Sequence, residues 1–404
     1  MPRHGIDSAE SWLMAALAFM TCFVIFGVAY SFGAFFKPMA TEFGANRANT
    51  SAVFAITACI YNLLGVVGGH LTDRFGPRRV MITGAFAMGI GLVATSEIER
   101  LWVVYLTYGL GVGVGVAFTY VPVLAVVGGW FAEKRNTAMG IAVSGIGCGT
   151  LLFAPFAAVL IERYGWRDAY AIMGVSAALL LTLLGALTKT PPTPIATGKL
   201  SLSRAARTPN FIYLYVSSVL ASVAIYIPFV YLPEFAHSRG VSEISAASLV
   251  GFIGAASIAG RLGLGTVADR TGIIPLYKAS TLILGLSYAL WIVSHSYTVL
   301  VIFAVVMGSA YGGMVALSPA VVAQLFGVQG LGAMLGALYT GSAISSLAGP
   351  PLAGVLIDST GSYLWAAAFA GASGVAAFAV LIPLERSATT IGTNLASLAQ
   401  PEES

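Results

Sequence analysis

Charged residues are scarce in this chain of 404 residues: Lys, Arg, Asp and Glu make up 9% of it, while 58% is hydrophobic. A soluble domain carries about 25% charged residues, so this chain cannot cover a water-facing surface. Its apolar runs are about 20–25 residues long, enough to cross a bilayer as helices. Barrel strands would be about half that length and would alternate in polarity, which these runs do not. The composition therefore predicts an all-α integral membrane protein.

Cysteine and histidine are also rare, with three and four residues respectively. Cys22, Cys59 and Cys148 fall within apolar runs, where we expect small core residues rather than a disulfide set or a metal site. The histidines lie at the ends of these runs or in loops, so none is an obvious proton relay. Because the sequence offers no buried carboxylate pair and no His/Cys ligand cluster, we expect no enzyme, catalytic residue, cofactor or metal.

The apolar runs between charged or turn-rich breaks give twelve predicted spans. They cover residues 12–36, 51–71, 80–96, 102–128, 136–161, 168–188, 210–232, 245–267, 278–295, 298–326, 331–357 and 363–384. The first run exceeds a signal-peptide core of about 7–15 residues, so we expect a retained span. A break rich in Pro, Thr, Ser and basic residues at 188–210 predicts a cytoplasmic linker. It separates an N-terminal six-helix half, 1–187, from a C-terminal half, 211–404, with a short cytoplasmic tail.

Lysine and arginine are distributed unevenly over the predicted loops. With the N-terminus inside, the cytoplasmic segments hold 13 of the 20 basic residues and the outer segments hold 6. The positive-inside rule then predicts that both termini are cytoplasmic. The same bias explains the basic excess, so we expect no nucleic-acid partner. The simple tails and the length favour a multi-pass protein of a prokaryotic inner membrane.

The two predicted halves resemble each other at an offset of 196 residues. The stretch GHLTDRFG at 69–76 corresponds to GTVADRTG at 265–272, and residues 140–165 correspond to 336–361. Internal duplication of this kind is typical of transporters that bind substrate near the midplane between the repeats. Residue 65, the counterpart of Arg261, is glycine, so the duplicated scaffold does not require an arginine there. This departure from the repeat indicates a substrate-specific feature.

Arg261 lies in predicted span 8, about eight residues or ~12 Å from its end. A guanidinium at that depth costs at least ~2.5 kcal/mol and cannot lose its proton. Every Asp and Glu falls at a span end or in a loop, so none is placed to pair with it. Because arginine matches a carboxylate with two parallel hydrogen bonds, we predict that the transported anion is its partner. The alternative is that Arg261 donates to backbone carbonyls and waters and holds helices together.

The number of intramembrane cations bears on the charge of the substrate. No other Lys or Arg is placed deep in a predicted span, and one cation neutralises one carboxylate, which favours a small monocarboxylate. Ser257 lies one turn from Arg261 on the same helix face. Five other polar side chains away from the predicted interfaces are candidates for shaping the pocket: Tyr30, Asn62, Tyr120, Tyr311 and Tyr339. Packing or interhelix hydrogen bonding is the alternative role for each of them.

The motif GGHLTDRFGPRR at 68–79 resembles the loop signature of the major facilitator superfamily, G-x-x-x-D-R-x-G-x-R-R. It lies between predicted spans 2 and 3, as in that family, and returns weakened between spans 8 and 9. The resemblance implies the major facilitator fold of twelve helices in two pseudo-symmetric halves. Its charged residues are then expected to lock the cytoplasmic side as a gating latch of charge pairs and helix-end contacts: Asp73, Arg74, Arg78, Asp269 and Arg270. A solvated turn is the alternative.

Two further stretches are similar to motifs of the monocarboxylate transporter family: WFAEKRNTAMGIAVSGIGCG at 130–149 and GVAYSF at 27–32. This resemblance implies that Arg261 is the carboxylate-binding arginine of span 8 and that Tyr30 lies at the pocket. Related oxalate–formate exchangers share the signature but carry a second cation in span 11, which is absent here. Animal members carry an acid one turn before the arginine and a lysine in span 1. Ser257 and Ala34 stand at these places, so that scheme of proton coupling does not carry over.

The sequence thus predicts a secondary active transporter of short monocarboxylates such as lactate or pyruvate, working by alternating access. Proton symport is the favoured coupling, because uptake of an anion against a negative-inside potential needs a cation. The expected partners are the anion, a proton and the lipid bilayer, with no obligatory protein partner. Two alternatives stay open. One is an exchanger of dicarboxylates, other organic anions or drug-like solutes, and the other is a carboxylate sensor that does not transport.

Overall fold

The structure, a computed structural model, describes residues 6–192, 207–326 and 331–384, without the side chains of residues 136, 265, 266, 269, 270 and 331–333. Every regular element within these residues is helical. Eleven of the helices are long and apolar enough to cross a membrane. The predicted all-α membrane architecture is therefore confirmed.

The N-terminal half contains six crossings. Span 1 runs through Ala9–Tyr30 and, after Ser31, Phe32–Phe43; span 2 is Arg47–Phe75, span 3 is Pro77–Ser96 and span 4 is Leu101–Trp130. The next helix, Arg135–Leu187, has 53 residues. At 1.5 Å per residue it is about 80 Å long, more than twice the hydrocarbon thickness of about 30 Å. It bends at Gly165, where φ is 81° and ψ is 163°, so its two arms are spans 5 and 6.

The C-terminal half repeats this order without such a continuous pair. Its spans 7 to 12 are Pro209–Ser238, Glu243–Thr271, Ile273–Ile292, Tyr297–Phe326, Leu331–Thr360 and Tyr363–Leu381. With the bend at Gly165, the described residues make twelve crossings. Residues 193–206 and 385–404 lie outside the described residues, so the cytoplasmic linker and tail stay predictions.

Several predicted span boundaries were wrong, and most of these spans continue past charged residues at which they were predicted to end. Span 1 continues past residue 36 to Phe43, which places Lys37 inside the helix. Span 7 continues past residue 232 to Ser238, which places Glu234 and His237 inside its last turns. A helix satisfies its own backbone beyond the hydrocarbon layer, and these side chains find polar partners there. The predicted loop between spans 5 and 6 is the bend at Gly165.

The twelve spans define two sides of the molecule. We call the side where Ala9 begins span 1 the near side, and the side where Phe43 ends it the far side. The halves meet through span 2 against span 11, span 5 against span 8, and the far part of span 1 against span 7. Span 5 and span 8 cross closely, because a Cβ on Gly254 would lie 2.6 Å from the Gly147 carbonyl oxygen. This crossing lies two turns from Arg261.

On the near side, Asp7 fastens the start of span 1 to the loop between spans 4 and 5. Its carboxylate accepts hydrogen bonds from the backbone N–H groups of Ala132, Glu133 and Lys134 at 3.1–3.3 Å. These bonds, above all that from Glu133, and the Lys134 charge hold the pKa of Asp7 below its usual value. The N-terminus of span 5 is thereby capped from another segment.

Candidate binding site between the two halves

Arg261 is buried in the middle of the molecule, with 7% of its surface exposed. It lies about ten residues, roughly 15 Å, before the end of span 8 at Thr271. Its Nη1 donates to the Val143 carbonyl of span 5 at 2.8 Å. The guanidinium carbon lies 5.7 Å from the ring centroid of Tyr311. Among the described residues, no carboxylate forms a salt bridge with it.

The other edge of the guanidinium is without a partner. Nε and Nη2 of Arg261 are buried and make no hydrogen bond. These two nitrogens carry parallel N–H groups on one edge of the plane, which is the geometry that a carboxylate accepts with both oxygens. Because the edge is out of contact with solvent in this conformation, an anion reaches it only when neighbouring side chains move. The free edge of Arg261 is thus buried and covered in this conformation.

One of the predicted tyrosines, Tyr311, lies beside this arginine, and a second, Tyr30, lies beside Tyr311. Tyr30 of span 1 stacks on Phe229 of span 7, with ring centroids 4.3 Å apart and planes 15° apart. Its hydroxyl interacts electrostatically with those of Tyr311, Tyr226 and Tyr61. The structure therefore brings Tyr30, Tyr311 and Arg261 together from spans 1, 10 and 8.

Tyr120 and Tyr339 extend the cluster toward the near side. The Tyr120 ring packs edge-on against Phe26, with centroids 5.1 Å apart. Its hydroxyl is in electrostatic range of Arg261, Tyr339 and Tyr311. Tyr339 is 44% exposed and lies about eight residues from the near end of span 11. Tyr339 is thus the least covered tyrosine of this cluster.

Asn62 joins the two halves through a tyrosine that the sequence analysis missed. Its Nδ2 donates to the Tyr226 hydroxyl at 3.0 Å and to the Ala58 carbonyl at 2.8 Å. The Tyr61 hydroxyl also donates to that of Tyr226, at 3.2 Å. Spans 2 and 7 are linked by these bonds. The repeat contained the signal for Tyr226, because it stands 196 residues after Tyr30.

Ser257 stands one turn before Arg261, but its hydroxyl is engaged within its own helix. It is 1% exposed, and its hydroxyl donates to the Gly254 carbonyl of the same helix at 2.7 Å. Its backbone packs against Gly312 of span 10, where a Cβ would overlap it. The hydroxyl proton is therefore used within span 8, which leaves the oxygen lone pairs. A substrate-binding role for Ser257 stays a prediction.

The predicted latch residues lie on the near side. Asp73 and Arg74 occupy the last turn of span 2 and Arg78 the first turn of span 3, and all three are exposed. The Arg74 guanidinium lies 5.1 Å from the ring centroid of Phe75. Between described residues, these three side chains form no salt bridge. The side chains of Asp269 and Arg270 lie outside the described part, so the latch stays a prediction.

The far side contains a charge network that sequence reasoning did not predict. Arg47 of span 2 donates to Glu234 of span 7 at 3.0 Å and to Asp358 of span 11 at 3.1 Å. It also donates to the Tyr363 hydroxyl at 3.4 Å. The Tyr231 hydroxyl bonds the Arg47 carbonyl at 3.2 Å. Among the described residues, the hydrogen bonds between the two halves thus lie on the far side and in the middle of the molecule.

Comparison with known proteins agrees with this architecture. The chain matches the Major Facilitator Superfamily over residues 17–293 and 264–397. It is 29% identical over 383 residues to Monocarboxylate transporter 13 of Rattus norvegicus, covering 94% of this chain and 90% of that protein. Monocarboxylate transporter 3 of Rattus norvegicus is 29% identical over 387 residues, with 90% and 78% covered. For Monocarboxylate transporter 4 of Rattus norvegicus the values are 28% over 400 residues, 94% and 84%.

These matches extend over most of the chain and agree with the helical architecture and with the repeat. The resemblance to the family of monocarboxylate transporters is confirmed as a similarity of sequence. The protein is a multi-pass membrane transporter and not an enzyme, and the chain belongs to the Major Facilitator Superfamily.

Proposed function

We propose that this protein transports short monocarboxylates of the size of lactate or pyruvate. The observation that carries the proposal is the buried guanidinium of Arg261, with Nε and Nη2 unpartnered and no acidic partner among the described residues. A charge-assisted, bidentate bond to a carboxylate would satisfy both nitrogens. The relatives named monocarboxylate transporters support this substrate class.

The surroundings of Arg261 favour a substrate with one negative charge. Because span 1 is longer than predicted, Lys37 is also a cation within a span. It lies on the far side, with its Nζ 2.7 Å from Nε2 of His237. A second carboxylate at Arg261 would therefore remain uncompensated in a low-dielectric site. In this proposal the hydroxyls of Tyr30, Tyr120 and Tyr311 bind the hydroxyl or keto group of a small acid, and their proximity to one another and to Arg261 supports this role.

Alternating access follows from where the halves are joined. The Arg47 network joins the halves on the far side, while Tyr339, which lies nearer the near end of span 11, is partly exposed. This conformation would admit substrate from the near side once the covering side chains move. In the opposite conformation, Asp73, Arg74 and Arg78 would close the near side with Asp269 and Arg270. We propose that the near side is cytoplasmic, with both termini, in a cell inner membrane.

Proton symport is part of the proposal. A monocarboxylate entering against a negative-inside potential needs a cation, and one proton for each anion makes transport electroneutral. No Asp or Glu among the described residues lies beside Arg261, so the proton is not assigned to a carboxylate of the protein there.

The test is uptake of labelled lactate into proteoliposomes with and without an inward proton gradient. We expect uptake by the wild type to rise with the gradient and to be lost in Arg261→Gln. Arg261→Lys keeps the charge but not the planar fork, so its uptake should be intermediate. Arg100→Gln, which removes an exposed far-side arginine, is the matched control and should transport normally.

Competition with unlabelled compounds separates the parts of the proposal. Pyruvate should compete with lactate, whereas lactamide, which lacks the carboxylate, should not. Equal competition by lactamide, or no uptake of any short monocarboxylate by the wild type, would refute the substrate class. Uptake that ignores the gradient would retain the Arg261 site and remove proton symport.

A further inference from the structure

A second cluster of titratable groups lies on the far side, away from Arg261. Spans 1, 5, 7 and 8 meet there around a cavity of about 30 Å³. Span 1 contributes Lys37, span 7 contributes Glu234 and His237, and span 8 contributes Glu243, whereas the lining residues of span 5 are uncharged. The cluster therefore combines one cation, one imidazole and two carboxyl groups at the junction of the two halves.

The contact between Lys37 and His237 fixes the protonation of the imidazole. Nζ of Lys37 lies 2.7 Å from Nε2 of His237. An ammonium group can only donate, so Nε2 must accept, and the ring proton of the neutral imidazole lies on Nδ1. Because imidazolium carries N–H donors on both ring nitrogens, a charged His237 would leave this contact with an ammonium at Lys37 without an acceptor.

Two buried polar atoms at this cavity lack a partner. Nδ1 of His237 and Oε2 of Glu234 make no hydrogen bond. The cavity is large enough for a water molecule, which would accept from Nδ1–H and donate to Oε2. That arrangement would hold the neutral ring beside Glu234, whose other carboxylate oxygen accepts from Arg47 at 3.0 Å. Through such a water the imidazole would be connected to Glu234 and the Arg47 network on the far side.

The same contact is an interface between the halves, because Lys37 belongs to span 1 and His237 to span 7. One turn before Lys37, a Cβ on Gly33 would lie 2.5 Å from the Phe229 carbonyl oxygen. The two helices therefore touch through their backbones at this level. When the far side opens, spans 1 and 7 must separate here, and the bond between Lys37 and His237 must break.

We propose that His237 is a proton-binding residue that opens the far side when it is protonated. A proton on Nε2 turns the acceptor into a second cation facing the Lys37 ammonium, and two charges at this distance repel each other. Glu234 is engaged by Arg47, and Glu243 is exposed in the first turn of span 8. The nearby Arg239 lies over the Phe235 ring, 5.1 Å from its centroid, and adds positive charge. Neutral His237 thus favours the closed far side and charged His237 the open one.

The test measures the separation of the halves directly and needs no substrate, so it stands apart from the proposed monocarboxylate transport. Spin labels at Glu99→Cys and Ser359→Cys, both exposed at the far ends of spans 3 and 11, report the far-side distance in lipid nanodiscs. The native cysteines are replaced by alanine. As the pH falls from about 8 to about 5.5, we expect a population with a longer distance to grow.

Three variants show whether His237 causes this response. His237→Gln retains an acceptor for Lys37 but cannot be protonated, so the short distance should persist at every pH. Lys37→Gln removes the repelling cation and should abolish the response as well. His295→Gln replaces a far-side histidine that is exposed and should respond as the wild type does. An unresponsive wild type, or a His237→Gln variant that opens in acid, would overturn the proposal.

Discussion

Three spans of the first half begin and end 196 residues before three spans of the second half. The matching pairs are Arg47–Phe75 with Glu243–Thr271, Pro77–Ser96 with Ile273–Ile292, and Leu101–Trp130 with Tyr297–Phe326. The glycines with positive φ form three pairs at the same offset: Gly44 with Gly240, Gly76 with Gly272, and Gly165 with Gly361. The duplication has therefore preserved the turns together with the helices.

Several of the side chains that carry charge do not follow this symmetry. Arg261 corresponds to Gly65, and Val143, whose carbonyl Arg261 binds, corresponds to Tyr339. At the far side, Arg47 corresponds to Glu243. A symmetric backbone lets two similar units rock against each other. The unequal side chains leave the central site with a single cation, Arg261, which comes from the C-terminal half. The comparison separates the residues that shape the scaffold from those that select the solute.

The largest effect is expected for Gly76→Ala and Gly272→Ala, which test whether the equivalent turns of the two halves have equal importance for stability. Both glycines have φ above 80° and ψ near 150°, a region that is essentially restricted to glycine. Each substitution should lower the unfolding free energy by about 2 kcal/mol, and by the same amount in both halves. Thermal unfolding in detergent measures the effect.

The control is Gly140→Ala in span 5, where a Cβ would have its nearest contact at 3.9 Å from the Leu262 side chain. That substitution should leave stability unchanged or raise it slightly, since alanine favours a helix over glycine. Clearly unequal losses for Gly76→Ala and Gly272→Ala would show that the two turns are not equivalent.

A smaller effect is expected at Arg47, where the two halves carry opposite charges. Arg47→Gln removes the partner of Glu234 and Asp358 and should weaken the closed far side by about 1–2 kcal/mol, because the pairs are partly exposed. The same pair of spin labels at residues 99 and 359 should then show more of the longer distance at neutral pH. Arg100→Gln, another exposed far-side arginine, should not change the distance. No change for Arg47→Gln either would remove its role in closing the far side.

The smallest effect is expected for the symmetry-related pair Tyr226→Phe and Tyr30→Phe. The Tyr226 hydroxyl accepts bonds from Asn62 and Tyr61 and links the halves, so its loss should lower kcat. The Tyr30 hydroxyl lies with Tyr311 near Arg261, so its loss should raise KM for lactate. Either change should be about fivefold, for one hydrogen bond of about 1 kcal/mol. The same KM and kcat profile in both variants would show that the two tyrosines do not have separate roles.

Much of the fold follows from local patterns that a sequence contains. Apolar runs predict the spans, and the offset of 196 residues predicts their repetition. Because every Asp and Glu falls at a span end or in a loop, the sequence also predicts that no acid lies beside Arg261 among the described residues. The Arg47 network is different, because Arg47 stands 187 residues from Glu234 and 311 from Asp358. No pattern within one segment predicts such a pairing. Tyr226 could have been predicted, because it is the counterpart of Tyr30 at the offset of 196 residues.

The hydrogen bond from Arg261 to the Val143 carbonyl has a thermodynamic consequence. It anchors an arginine of one half to the backbone of the other, and so the orientation of the free Nε and Nη2 edge depends on the spacing of spans 5 and 8. A motion that changes this spacing must change the affinity for an anion held on that edge. Linkage is reciprocal, so the bound anion shifts the conformational equilibrium by the same free energy. Occupancy and conformation are then coupled through a single side chain.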